Sequence, residues 1–76
     1  MKYTEDNIVG IRFTSGRDYY KIADLKDKVL WLQKTDSKGG AAGYPYSWDS
    51  IRTFNDFVGN TFKIITEVEP ELYQIY

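Results

Sequence analysis

The sequence contains no cysteine and no histidine, and it has only one methionine and two prolines. Without cysteine the chain offers no disulfide, no thiol nucleophile and no thiolate metal site. Without histidine it has neither a Ser-His catalytic pair nor an imidazole metal ligand. Carboxylates, lysine and tyrosine remain as catalytic residue types, but they form no credible constellation. We therefore expect that the chain is not an enzyme and that it holds no cofactor and no metal ion.

Long apolar runs are also missing from the sequence. No apolar segment follows Met1, and no stretch approaches about 18 apolar residues, so the sequence predicts neither a signal peptide nor a membrane span. The absence of cysteine is consistent with a reducing compartment. Together these features favour a cytoplasmic location and no membrane partner.

The chain has no large excess of charge of either sign. Ten basic side chains stand against eleven acidic ones, for a net charge of −1. Residues 1–38 carry eight basic and six acidic residues (+2), whereas residues 39–76 carry two and five (−3). A nucleic-acid-binding domain usually presents a strongly basic face. The overall balance argues against this class but leaves room for a local basic patch.

Aromatic residues are abundant. The 76 residues include two Trp, seven Tyr and four Phe, and 42% of the chain is hydrophobic. Each large ring buries about 150–250 Å², which compensates for the small core that so short a chain provides. The length fits one domain. We place this domain at residues 1–66, followed by an acidic-aromatic C-terminal tail at residues 67–76. A homo-oligomer, or a core completed by a partner, is the alternative to a domain that folds alone.

Three segments in the first half show the alternation of apolar and polar residues that is typical of strands. They cover residues 7–14, 19–25 and 29–34. The first places Val9, Ile11 and Phe13 on one face, and the second points Tyr20 and Ile22 inward. Two short turns, the first containing a glycine, separate the segments. The sequence therefore predicts an antiparallel β-meander.

A loop and a short edge strand follow the meander. Residues 35–43 contain three glycines and nothing large to bury, which predicts an exposed loop. The segment Tyr44-Pro45-Tyr46 then predicts a short strand at the sheet edge, because proline cannot donate a ladder hydrogen bond.

One helix and a last strand complete the chain. Ser47 is expected to cap a helix in which Trp48, Ile51 and Phe54 recur at helical spacing, and Gly59 or Asn60 is expected to end it. Residues 61–66 are β-branched and aromatic and predict a strand. The predicted fold is therefore α+β in the order βββ(β)αβ, with the meander curved into an SH3-like, partly open barrel.

One pattern runs through these elements over about residues 8–65. It consists of Val9-Gly10-Ile11-Arg12-Phe13, Tyr20-Lys21-Ile22, Val29-Leu30-Trp31, and Tyr46-Ser47-Trp48 followed by Ile51, Phe54, Gly59 and Phe62-Lys63-Ile64-Ile65. It resembles small accessory proteins of phages and mobile elements, which are of unknown function. The resemblance implies a virion-associated or accessory protein that acts by binding, in the host cytoplasm or the virion. It supplies no functional residues.

Aromatic residues outside the predicted core are the first candidates for a binding site. Tyr44 and Tyr46 flank the glycine-rich loop, and Leu72, Tyr73 and Tyr76 lie in the tail. Tyrosine is enriched at interface hot spots because it supplies contact area at low entropic cost. We therefore predict a non-enzymatic protein-interaction module, with an inhibitory role as one form of it. The opposite interpretation, that these rings complete the core, stays open for Tyr44, for Tyr46 and for the tail.

A nucleic-acid-binding face is the alternative. Arg12, Tyr19 and Lys21 are expected on the outer face of the meander, with Lys34 nearby in the third strand. Single-strand binders combine stacking rings with cations in this way. Asp18, close in the sequence, would oppose a phosphate backbone. The sequence therefore favours a protein partner, with nucleic acid as the alternative.

Overall fold

The chain folds into a five-stranded antiparallel sheet accompanied by one short helix. A computed structural model describes residues 2–65. Its elements are β1 (Arg12–Ser15), β2 (Asp18–Lys26), β3 (Val29–Thr35), β4 (Tyr46–Ser47), α1 (Ile51–Phe57) and β5 (Phe62–Ile64). The order across the sheet is β4-β3-β2-β1-β5, so β4 and β5 are its two edges and the sheet is not closed. The predicted α+β class and element order are confirmed.

Two tight turns produce the meander. Gly16 has a φ of +64° between β1 and β2. Asp27 and Lys28 join β2 to β3 with φ values of +49° and +67°. Positive φ at both central residues is the geometry of a type I′ turn, whose twist matches that of paired strands. The two connections therefore hold β1, β2 and β3 next to one another.

The first predicted strand is wrong at its beginning. Residues 7–11 are not part of the sheet, and Val9, expected inward, is 51% exposed, whereas Ile8 is fully buried. Gly10 has a φ of +96° and breaks the alternation, because the chain turns there. Its N–H donates to the Ile22 carbonyl at 2.8 Å, which ties the turn to β2. Ile8, and not Val9, therefore points into the core.

The core lies between the helix and one face of the sheet, which we call the core face. Its buried residues are Ile8, Phe13, Ile22, Leu30, Leu32, Phe54 and Phe62. The Phe13 ring is central, with its centroid 4.6 Å from that of Phe62 and 5.1 Å from that of Phe54. Tyr20 stacks on Phe13 at 5.5 Å. Aromatic rings therefore supply the contact area that the small domain needs.

The helix begins later than predicted. Its N-cap is Ser50, whose Oγ accepts the Thr53 N–H at 3.2 Å, and Ser47 belongs to β4. The sheet ladder explains the shift, because the Trp48 N–H donates to the Leu30 carbonyl at 2.9 Å. A residue held in the ladder cannot also start a helix. The expectation that Ser47 caps a helix containing Trp48 is therefore wrong.

The chain leaves the helix through a turn into β5. The Val58 N–H donates to the Phe54 carbonyl, and Gly59, the predicted end of the helix, has a φ of +84°. The Gly59 N–H then donates to the Phe62 carbonyl at 2.9 Å. This turn directs β5 along β1, opposite the position of β2.

Asn55 fixes the N-terminal segment to the helix. Its Oδ1 accepts the Tyr3 N–H at 2.8 Å, and its Nδ2 donates to the Tyr3 carbonyl at 3.0 Å. The Tyr3 ring meets Phe54 edge-on at 5.9 Å. The N-terminal segment, which has no regular secondary structure, is thereby held over the core through the N–H and the carbonyl of Tyr3.

Candidate functional site

An aromatic cleft opens on the core face, where the two edges of the sheet approach each other. Rings line most of it, and they belong to Phe13, Tyr20, Tyr46, Trp48, Phe57 and Phe62. Leu32 and two hydroxyl residues complete the lining, and the cleft measures about 220 Å³. The Trp48 ring lies 5.6 Å from that of Phe62 and 5.9 Å from that of Phe57. These contacts join the β4 side of the sheet to the β5 side.

The register of the sheet places these residues on one face. Directly opposed residues in antiparallel strands share a face. Phe13 is opposite Tyr20 in β1 and β2, and Leu32 is opposite Tyr46 in β3 and β4. Each strand of the meander therefore contributes at least one side chain to the same surface.

Two of the rings are open to solvent. Tyr46 is 44% exposed and Phe57 is 37% exposed, whereas Phe13 beneath them is fully buried. Phe57 is the last helical residue, and its position at the end of α1 brings it beside Trp48. Large apolar residues that stay exposed together mark interaction surfaces more often than isolated ones do.

None of the described residues that line the cleft is charged. Burial raises the pKa of the Tyr46 hydroxyl above its usual value of 10.0, and the neighbouring Tyr20 hydroxyl raises it further. Low polarity disfavours the charged phenolate, so Tyr46 stays protonated at physiological pH. The remaining lining residues are apolar or carry neutral hydroxyls. The described lining therefore offers aromatic rings and hydroxyl groups.

Of the two described tyrosines predicted to bind a protein, Tyr44 and Tyr46, only one lies in the aromatic cleft. Tyr46 lines the aromatic cleft, whereas Tyr44 is 91% exposed and is not part of the lining. Leu72, Tyr73 and Tyr76 lie outside the described residues, as does the whole predicted tail. Sequence reasoning did not identify Phe57 as a surface residue, because its helical spacing is that of a core position.

Three of the four residues predicted to bind nucleic acid share the other face of the sheet, which we call the outer face. Arg12 is directly opposite Lys21, and Tyr19 is the adjacent outer-face residue of β2. Lys34 is opposite Tyr20 and so lies on the core face. Its Nζ is 3.5 Å from the Asp18 carboxylate. Lys34 is therefore not brought together with the other three.

The glycine-rich loop lies against the outer face. Arg12 Nη2 donates to the Ser37 carbonyl at 3.4 Å, and Gln33 Nε2 donates to the Gly43 carbonyl at 2.8 Å. Gly39 fits closely against the guanidinium, since a Cβ there would lie 3.3 Å from Arg12 Cζ. Gln33 and Thr35 are buried although they belong to the outer face. The loop thus covers part of the surface predicted for nucleic acid.

Asp36 organises this loop. Its Oδ1 accepts the N–H groups of Lys38 and Gly40, both at 2.8 Å. These two hydrogen bonds, Gly40 first, hold the pKa of the Asp36 carboxyl below its ordinary value of 3.8, and the positive charge of Arg12 contributes less. The prediction of an exposed loop holds for residues 36–43, in which Gly39 alone is half-buried, but it is wrong for Thr35, which ends β3 and is buried. The Asp36 carboxylate already accepts the N–H groups of Lys38 and Gly40.

A second cleft, of about 440 Å³, lies between the β2–β3 turn and the start of the helix. Its charged residues, Glu5, Asp27, Lys28 and Arg52, are all exposed and carry both signs in equal number. Water solvates such groups well, and the adjacent helix has only seven residues. None of the described residues that line this cleft is buried, whereas Phe13, Leu32 and Phe62 of the aromatic cleft are, so the aromatic cleft is the stronger candidate.

Within residues 2–65 no three acidic residues lie close enough together to hold a metal ion. In the same part of the chain, no helix has the length and apolar content needed to cross a membrane. No protein-family model matches the chain, and no curated protein and no solved structure matches it. The fold and the site define a small α+β domain with an aromatic surface cleft.

Proposed function

We propose that this chain is a non-enzymatic protein-interaction module that binds its partner through the aromatic cleft. The observation that supports it best is the group formed by Tyr46, Trp48 and Phe57, in which exposed rings lie over a buried aromatic core. Tyr and Trp dominate interface hot spots because they bury a large area while losing few rotamers. A role as an accessory or virion-associated protein belongs to the proposal and is based on the resemblance alone.

The size of the cleft favours a protein over a small molecule. Small-molecule pockets usually enclose about 300–1,000 Å³. A cleft of about 220 Å³ is smaller and open, so it accommodates one or two side chains of a larger partner. The rest of the interface would then lie on the surrounding surface.

The proposal is tested by panning a displayed library of random dodecapeptides against the full chain. We expect peptides whose binding falls at least tenfold with Tyr46→Ser. Tyr44→Ser is the matched control, because it makes the same replacement two residues away at a fully exposed ring outside the cleft. Tyr44→Ser should keep the melting transition of the wild type, whereas Tyr46→Ser removes a half-buried ring and should lower the melting temperature while leaving the protein folded at the temperature of the binding assay. Failure to recover any peptide that distinguishes the two variants would contradict the proposal.

A nucleic-acid-binding domain is the second candidate. It is favoured by the adjacency of Arg12 and Lys21 on the outer face, with Lys63 opposite Thr14 on the same face. Against it, the Arg12 guanidinium contacts the loop, and the acidic Asp36 lies in that loop. Titrating single-stranded oligonucleotides at about 50 and 200 mM salt distinguishes the candidates, since three phosphate contacts predict a loss of very roughly tenfold or more. Lys21→Ala should reduce that slope if the second candidate is correct.

A further inference from the structure

Three cations of the outer face form a group across adjacent strands. Arg12 of β1 lies directly opposite Lys21 of β2, and Lys63 of β5 lies opposite Thr14, the next outer-face position of β1. Directly opposed side chains are about 4.5–5.5 Å apart at Cβ, and diagonal neighbours are about 7–8 Å apart. Arg12, Lys21 and Lys63, which we call the basic strip, are therefore close enough together to act on one anionic ligand.

The basic strip has little negative charge beside it in the part of the chain that the structure describes. There, no ion pair involves Lys21 or Lys63. The Asp24 carboxylate lies 3.8 Å from the amine of a lysine in its own strand, and Asp36 accepts two N–H groups of the loop. Like charges that are directly opposite each other destabilise a sheet, so the pairing of Arg12 with Lys21 favours an anion beside them.

The chain itself passes along the basic strip where the described residues end. The Ile65 N–H donates to the Arg12 carbonyl at 2.9 Å, so the chain still follows β1 at this point. Residues two apart in an extended chain share a face. Glu67 follows Ile65 by two residues and Lys63 by four, which is the spacing of outer-face positions. As a diagonal neighbour of Arg12, a carboxylate at this position would be within reach of the guanidinium.

The charge of the next segment is complementary to that of the basic strip. Residues 67–71 contain three glutamates, Glu67, Glu69 and Glu71, and residues 66–76 contain no basic residue. Three carboxylates therefore follow three cations along the chain. A ligand that is joined to its site by a short link has an effective concentration on the order of 1 mM, which favours it over an anion free in solution.

From these observations we infer that the acidic segment, residues 67–71, occupies the basic strip of its own chain. The contact is autoinhibitory, because it places carboxylates where the phosphates of a nucleic acid would otherwise bind. This inference goes beyond the proposed function and does not depend on it, since the aromatic cleft lies on the opposite face and no residue of the basic strip lines it.

The test compares urea denaturation of full-length variants at about 50 mM salt. The tail variant Glu67→Gln/Glu69→Gln/Glu71→Gln removes three charges while keeping the side-chain length, and Lys21→Gln is made in the wild type and in the tail variant. In the wild type we expect Lys21→Gln to raise the equilibrium constant of unfolding about twofold, because it removes an ion pair. In the tail variant it should lower that constant, because it relieves the repulsion from Arg12.

A matched control separates this contact from an effect of overall charge. Glu5→Gln/Asp27→Asn/Asp56→Asn changes the net charge by the same amount at exposed residues of the N-terminal segment, a turn and the helix. In this control background Lys21→Gln should act as it does in the wild type. At about 1 M salt, where the Debye length is only about 3 Å, the difference between the wild type and the tail variant should disappear.

Three outcomes would overturn the inference. The same effect of Lys21→Gln in the wild type and in the tail variant would show that the tail does not contact the basic strip. Salt-dependent binding of oligo-dT that Lys21→Gln weakens and the tail variant leaves unchanged would identify nucleic acid as the occupant. A dimer in sedimentation that the tail variant dissociates would identify the tail of a second copy.

Discussion

Single side chains decide how the loop and the N-terminal segment are held. Arg12, Asp36 and Asn55 are polar, yet each organises backbone that has no regular secondary structure. Their hydrogen bonds to backbone groups replace the ladder and helix bonds that such segments lack. Arg12 and Asn55 contact the chain 25 and 52 positions away, so no local pattern in the sequence reveals their roles. Asp36 contacts residues only two and four positions ahead, within the loop itself.

Asp36 makes the stability of the loop depend on pH. Its folded-state pKa is lower than the ordinary value of 3.8, so the hydrogen bonds to Lys38 and Gly40 stabilise the fold fully above that value. This contribution is lost as the pH falls through the lower folded-state pKa. We therefore expect Asp36→Asn to show a shallower decrease of melting temperature below about pH 4 than the wild type.

Asp56→Asn is the control for this prediction. It removes the same charge from an exposed helical residue outside the loop. Thermal melts at several pH values between 2 and 6 compare the three proteins. If the melting temperatures of the wild type and of Asp36→Asn fall equally as the pH is lowered, the carboxylate does not hold the loop.

At the scale of elements, the start of the helix is the clearest case of two competing signals. Ser47 and Ser50 both have the side-chain chemistry of an N-cap, and they lie three residues apart. The β4 ladder decides between them, because it engages the backbone as far as Asp49, whose carbonyl accepts the Leu30 N–H at 2.7 Å. Capping preference alone cannot distinguish the two serines.

The two serines provide a matched pair of variants. Ser50→Ala removes the hydroxyl that accepts the Thr53 N–H and should lower the free energy of unfolding by about 0.5–2 kcal/mol. Ser47→Ala alters an exposed strand residue and should change it by less than about 0.5 kcal/mol. Urea denaturation measures both. A larger effect at Ser47 would place the helix start where the sequence pattern first suggested.

The sequence predicted the number, type and order of the elements because turns and alternation are local features. It did not predict which face Lys34 occupies. Because β3 has apolar residues on both faces, its sequence does not indicate which of the two faces the core. Only the pairing of Lys34 with Tyr20 resolves this. The inward position of Ile8 was missed for a related reason, since Gly10 interrupts the pattern before β1 begins.

At the scale of the whole molecule, the aromatic cleft exists only because the two sheet edges meet. Tyr46 and Phe57 are eleven residues apart, and Phe13 is more than thirty residues from either. Their proximity depends on the register of four strands and on the end of one helix. Composition indicated that rings would be important, but it could not separate rings that fill the core from rings that line a surface.

Some rings fill the core and others line the surface, and this division predicts a large difference in the free energy of unfolding between two Phe→Ala variants. Phe13 is fully buried and contacts three other rings, so Phe13→Ala should cost about 3–5 kcal/mol. A chain of this length has a total stability of about 4–11 kcal/mol, so this variant should be at or near global unfolding.

Phe57 is 37% exposed, and its replacement should cost at most about half as much, because less apolar area is removed from water in the folded state. Urea denaturation followed by far-UV circular dichroism measures both variants against the wild type. Phe57→Ala should remain folded and lose peptide binding, since its ring lines the cleft. Comparable destabilisation by the two variants would mean that Phe57 belongs to the core, and the surface available to a partner would then shrink to Tyr46 and Trp48.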